Sequence, residues 1–180
     1  MNKSKIKTAD IVFVGVFAAV LAVLSQISIP LPLGVPVTLQ TFAVALCGYF
    51  LGWKKGLAAV LVYILLAAVG VPVLAGFCGG FSYILGLSGG FIYGFLFLAA
   101  LCGLNLKHKV FKIAAGCGGL LLCHLCGLLQ YGLIAGEGFV TSFLLVSAPF
   151  LIKDIVSVVL AYFCALVILR AVKGRITAMG

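Results

Sequence analysis

Six apolar runs, near residues 10–28, 38–53, 57–71, 84–104, 110–134 and 149–170, take up most of this 180-residue chain, and the basic residues cluster only in alternate gaps between them. Lys3, Lys5 and Lys7 precede the first run, and Lys54 and Lys55 separate the second from the third. Lys107, Lys109 and Lys112 surround the start of the fifth, and Arg170, Lys173 and Arg175 follow the sixth. Of the twelve Lys and Arg residues, only Lys153 stands elsewhere. A spanning helix needs about 20 mostly apolar residues, and cytoplasmic loops carry an excess of Lys and Arg. Six spans place all four clusters on one side of a bilayer. The expected architecture is therefore an all-α integral membrane protein: one membrane domain over 1–180, six transmembrane helices, and both termini cytoplasmic. The second and third runs only just reach spanning length.

Composition supports that reading. The chain is 65% hydrophobic and 8% charged, with a mean hydropathy of +1.38, whereas soluble domains carry about 25% charged residues. A net charge of +9 would suggest nucleic acid in a soluble protein. Here there is almost no polar surface for nucleic acid to use, so none is expected as a partner. The basic start and apolar run of residues 1–26 also resemble a signal peptide. They lack a convincing small-x-small cleavage site and five further spans follow, so the segment reads as an uncleaved first helix. Cys47, Cys102, Cys117, Cys123, Cys126 and Cys164 lie in or beside apolar runs, where cysteine behaves as a small hydrophobe. Cys78 has no loop partner, so no disulfide framework is expected.

Catalytic chemistry finds little material. There is no G-x-x-x-x-G-K-[ST] motif, and the only acids are Asp10, Glu137 and Asp154. No hydrolase or metalloprotease arrangement can be assembled, so the chain is not expected to be an enzyme. The "CHLC" of residues 123–126 suggests a metal, but His124 points about 100° away from Cys123 on a helix. It reads as small packing residues plus one buried polar group, and no metal site is expected. His124 is kept as a reserve candidate because ionisable groups within a membrane are costly and often functional.

Polar and irregular features collect toward the side without basic clusters. Pro30, Pro32 and Pro36 stiffen the segment leading to Thr38, Gln40 and Thr41. The third gap interleaves Gly76, Gly79, Gly80, Gly86, Gly89 and Gly90 with Phe77, Phe81, Tyr83 and Phe91. Irregular backbone at membrane depth is tolerated where it lines a cavity, and aromatics beside it suit a small, partly apolar ligand. In the sixth run Asp154 lies about 7–8 Å inside the helix start at Pro149. A short carboxylate cannot snorkel from that depth, so Asp154 should face a cavity, partner or ligand. In the first run Gly15, Ala18, Ala19 and Ala22 form small-xxx-small pairs, which suit either packing within the chain or docking to a membrane partner.

"IPLPLGVPVTLQTFAV", "GVPVLAGFCGGFSYILGLSGGFIYGF" and "APFLIKDIVSVVLA", in this order and spacing, resemble the BioY family, the biotin-binding S components of energy-coupling-factor (ECF) vitamin transporters. The resemblance implies a six-helix S-component fold in the bacterial plasma membrane. It implies biotin captured from outside and delivered with a transmembrane coupling subunit and two cytoplasmic ATPases. No cofactor is then expected in this chain, since ATP is used by the partners. Gly15, Ala18, Ala19 and Ala22 would meet the coupling subunit. Asp154 would accept from the ureido N–H, Gln40 would complement the ureido group or the carboxylate, and Thr38 would stand beside it. Phe77, Gly79 and Tyr83 would form the lid and apolar wall.

The family commonly reads Gly-Asp-x-x-Lys where this chain has "KDIVS". Ser157, which extends the Asp154 face inward and is expected at the binding site, takes the place of the lysine, and Lys153 that of the glycine. Position 153 lies about 40° around the helix from 157 and one turn outward, so Lys153 is expected to supply the missing cation. Alternatives within the class are lipoate or a biotin precursor as ligand. Outside it stands a self-sufficient proton-coupled carrier using Asp154 or His124.

Overall fold

The computed structural model describes residues 7–32 and 35–178, with side chains to residue 172. Lys3 and Lys5, and the side chains of Lys173 and Arg175, fall outside that description. The chain runs α1 (Thr8–Ser25), β1 (Ser28–Ile29), β2 (Val37–Thr38), α2 (Gln40–Leu51), α3 (Trp53–Ala68), α4 (Phe81–Ile84), α5 (Gly89–Cys102), α6 (Lys109–Ala135), α7 (Phe139–Val146) and α8 (Ala148–Ala178). The strands pair antiparallel, with Ser28 opposite Thr38 and Ile29 opposite Val37. This small hairpin folds the proline segment back over the end of α1.

Three helices are long and apolar enough to cross a membrane: α1, α6 and residues Ala148–Val172 of α8. Helices α2 and α5, with 12 and 14 residues, are shorter and apolar. Two departures from the sequence reading stand out. The span expected over 84–104 starts later, with α5 at Gly89, because Gly86 and Ser88 form a turn, and the one-turn helix α4 stands before it. The gap before the last span contains a further helix, α7.

The cationic ends of the helices meet. Lys55 at the start of α3 forms an ion pair with Asp10 at the start of α1. Trp53 N–H donates to the Gly103 carbonyl beyond α5 at 2.9 Å. Tyr49 near the end of α2 donates to the Lys112 carbonyl at 3.3 Å and packs edge-on against Tyr162 of α8. Gly52 makes the α2–α3 turn at φ 78°, where a Cβ would be strained.

The core draws on six helices: Leu21, Val44, Tyr63, Leu98, Leu120 and Val158 are all at most 1% exposed. Helices α5 and α6 approach most closely. A Cβ on Gly90 would run into the Cys126 carbonyl, and one on Gly94 would meet Cys123 Cα at 2.5 Å. The two cysteines of "CHLC" are thus the small surface against which α5 lies.

On α1 the small residues divide. Gly15 and Ala19 face outward beside exposed Ile11, Val12, Val16 and Val23, and nothing lies within 4 Å of a Cβ on Gly15. Ala18 is buried and Ala22 half-buried against the core. The 100° step between neighbouring helix positions turns Ala18 inward and leaves Gly15 and Ala19 on the outer face.

Candidate functional site

A cavity of about 710 Å³ opens between the hairpin, residues 74–88, α5, α6, the end of α7 and the start of α8. That volume is within the usual range for a small-molecule pocket. Its interior is lined by the buried residues Thr38, Gln40, Thr41, Ile92, Phe95, Leu120, His124, Phe150 and Asp154. Pro30, Gly76, Ser82, Tyr83 and Ile134 are the exposed residues of its rim.

Asp154 is the centre of the polar group. It is 5% exposed, and α8 carries it against His124 of α6. His124 Nε2 lies 3.2 Å from Asp154 Oδ2, and Nδ1 lies 3.2 Å from Ser147 Oγ. A neutral ring with its proton on Nε2 satisfies both contacts: Nε2–H donates to the carboxylate, and the Ser147 hydroxyl donates to Nδ1. Phe91 packs edge-on against the same ring at 5.6 Å. Lys153 Nζ forms an ion pair with Asp154 Oδ1 and donates to the Thr38 carbonyl at 2.9 Å. The ammonium caps Oδ1 as the imidazole meets Oδ2, and a carboxylate oxygen so paired keeps a second lone pair for a further donor in the cavity it lines.

A second network fixes the wall. Gln40 Nε2–H donates to the Tyr63 hydroxyl at 2.7 Å, Gln40 Oε1 accepts from Thr38 Oγ1 at 3.1 Å, and Tyr63 donates to the Val73 carbonyl at 3.1 Å. Ser25 donates to the same carbonyl at 2.5 Å. Gln26 Nε2–H donates toward the Val73 and Leu74 carbonyls at 3.1 Å each, and its Oε1 accepts the Phe77 N–H at 2.9 Å. The end of α1 thereby holds the glycine-rich segment. Replacing Gln26 with Ala removes the side chain that holds the Leu74 carbonyl and the Phe77 N–H, while Val73 keeps Ser25 and Tyr63, at a cost of about 1–3 kcal/mol. The expected result is a lower melting temperature and faster proteolysis within residues 70–80.

The structure brings together Asp154, Lys153, Gln40, Thr38 and Tyr83 around one cavity. Three expected site residues are not among its lining. Phe77, expected in the lid and apolar wall, is 73% exposed, at φ 56° with its N–H held by Gln26, and is not in the lining. Gly79 lies against the Val71 carbonyl, where even a Cβ would not fit. Ser157 is buried but sits one turn further along α8, and Lys153 stands at the cavity in its place. His124, a reserve candidate in the sequence, is a direct partner of Asp154. The signal for it was the rarity of ionisable groups in apolar helices.

The family model described as the BioY family matches residues 1–174. This chain belongs to the BioY family. Among its relatives, a probable biotin transporter BioY of Pyrococcus horikoshii is 38% identical over 159 residues, covering 88% of this chain and 95% of the relative. The biotin transporter BioY of Rhodobacter capsulatus is 33% identical over 187 residues, covering 95% and 98%. These named BioY relatives are transporters, not enzymes. A solved S-component for biotin from an ECF-type ABC transporter has the same fold, with a TM-score of 0.81, 24% identity and 92% of each chain covered. BioY membership and the apolar helices α1, α6 and α8 make the chain a membrane protein.

Proposed function

We propose that this BioY protein is the substrate-binding subunit for biotin uptake, capturing biotin outside the cell and delivering it with an ATP-driven ECF module. The observation that carries the reading is the buried Asp154 carboxylate, held by His124 and Lys153 at the wall of a cavity of ligand size. Biotin's ureido ring offers N–H donors and a carbonyl acceptor. Asp154 accepts a ureido N–H, and Lys153 turns its ammonium from Thr38 to the ring carbonyl. Phe91, Ile92, Phe95 and Leu120 surround the apolar thiophane ring. His124 and Ser147 hold Asp154 in place, while the Gln40 amide, engaged by Thr38 and Tyr63, holds the wall.

The chain forms one membrane domain with six spans: α1, α2, α3, α5, α6 and α8. Both termini lie on the cytoplasmic side of the cell membrane. The meeting of Lys55, Asp10, Trp53 and Lys112 at one end of the helices supports this topology, since Lys and Arg mark the cytoplasmic face. The exposed Gly15 and Ala19 of α1 form the contact with a transmembrane coupling subunit, which works with two cytoplasmic ATPases.

Calorimetric titration of the detergent-purified chain with biotin, desthiobiotin and lipoate tests the reading. Submicromolar biotin binding is expected, and its absence removes the assignment. Lys153→Ala should weaken biotin by roughly tenfold to a hundredfold, the range for a hydrogen bond to a charged group. Wild-type affinity in that variant would show that Lys153 does not act on the ligand. A second reading, a self-sufficient proton-coupled carrier, draws on the His124–Asp154 contact. It requires the purified chain alone to accumulate biotin in vesicles under a pH gradient, whereas a subunit dependent on ATPases should not.

A further inference from the structure

We propose that the cavity recognises its ligand by the uncharged polar head alone and accepts ester- and amide-capped tails as readily as the free carboxylic acid. The proposal rests on biotin as the ligand and concerns which end of it the protein reads.

Charge inside the cavity is already balanced. Among the described residues lining it, Lys153 is the only Lys or Arg, and Asp154 the only acid. The two form an ion pair, and Lys153 also holds the Thr38 carbonyl. A carboxylate brought inside would face the Asp154 carboxylate and find its only cation neutralised. Like charges at low dielectric repel strongly, and an unpaired buried anion is costly. The buried polar lining (Thr38, Gln40, Thr41, His124 and Asp154) suits a neutral head with donors and an acceptor.

Orientation follows. With the head inside, the tail runs to the rim, where the exposed polar side chains are the hydroxyls of Ser82 and Tyr83. No cation waits there. Segments 26–39, 70–88 and 136–147 contain no Lys or Arg, and their one charged residue is Glu137, an acid. The tail carboxylate therefore stays in water and adds solubility rather than affinity. Capping it removes a charge that the protein does not touch.

The test is calorimetry on the full chain in detergent with four probes: biotin, biotin methyl ester, the amide of biotin with lysine, and lipoate. Lipoate keeps the anionic tail and lacks the ureido head. The ester and amide should bind within about threefold of biotin, and lipoate at least roughly a hundredfold more weakly. If biotin binds but the methyl ester is weaker by roughly tenfold or more, the size of a lost charge-assisted contact, the tail is read and the proposal is overturned. Lipoate binding as tightly as biotin overturns it as well. Failure of biotin and both capped forms together removes the biotin reading, and this proposal with it.

Discussion

Asp154→Asn should abolish high-affinity biotin binding. The change keeps side-chain volume but has three effects at once. It removes the anionic acceptor proposed for the ureido N–H, leaves the Lys153 ammonium without its counter-ion, and deprives the His124 ring of a carboxylate. Truncating the charged side of a buried hydrogen-bonded contact with a ligand costs about 2–5 kcal/mol, which corresponds to roughly thirtyfold to several thousandfold in affinity. Titration calorimetry measures the loss, and size-exclusion chromatography verifies that the variant is folded. A double variant, Asp154→Asn with Lys153→Met, removes the orphaned cation. It should recover thermal stability without recovering binding. Recovery of both would mean that Asp154 serves Lys153 and not the ligand.

Gly90→Val should fail at the level of the fold. The obstruction above Gly90 is the Cys126 carbonyl, which is helix backbone and cannot rotate aside as a side chain can. Overpacking usually costs about 1–3 kcal/mol, occasionally more. Here the whole α5–α6 contact must open, so the effect belongs at the upper end. Thermal unfolding in detergent should show a large drop in midpoint or no cooperative transition. The comparison is Gly118→Ala, where nothing lies within 4 Å of the added Cβ and stability should be unchanged. A Gly90→Val protein as stable as wild type would show that α5 and α6 separate easily.

The helical character and the cation pattern were legible because they depend on run length and charge, which need no tertiary information. The place of Lys153 beside the cavity was legible too, since a helix fixes the angle between positions four apart, whereas Ser157, expected with it, is not in the lining. Phe77 was not. Its direction follows from a positive φ and from Gln26, 51 residues earlier in the chain, and no local pattern encodes that pairing. His124 was visible as an anomaly, but its partner lies 30 residues away on α8. The later start of α5, at Gly89 and not at 84, was not legible, because Ile84, Leu85 and Leu87 are as apolar as the span that follows. The same property hid the inward turn of Ala18: around α1 both lipid and core are apolar, so the pattern does not reveal which side faces which.

The brevity of α2 and α5 has a consequence for how the protein meets its bilayer. At 1.5 Å per residue they measure about 18 and 21 Å against a hydrocarbon layer of about 30 Å. In lipid, such helices would impose hydrophobic mismatch. They escape it because they are largely interior, with Gln40, Thr41, Ala43–Gly48 of α2 and eight residues of α5 buried. The longer α1, α6 and α8 present most of their surface outward and set the thickness that the bilayer experiences. Gln40 and Gly89 therefore begin their helices at a depth reserved elsewhere for lipid chains. The volume left above them is closed by hairpin and loop instead of acyl tails. The cavity occupies the height difference between three full-length helices and an inner pair that stops short.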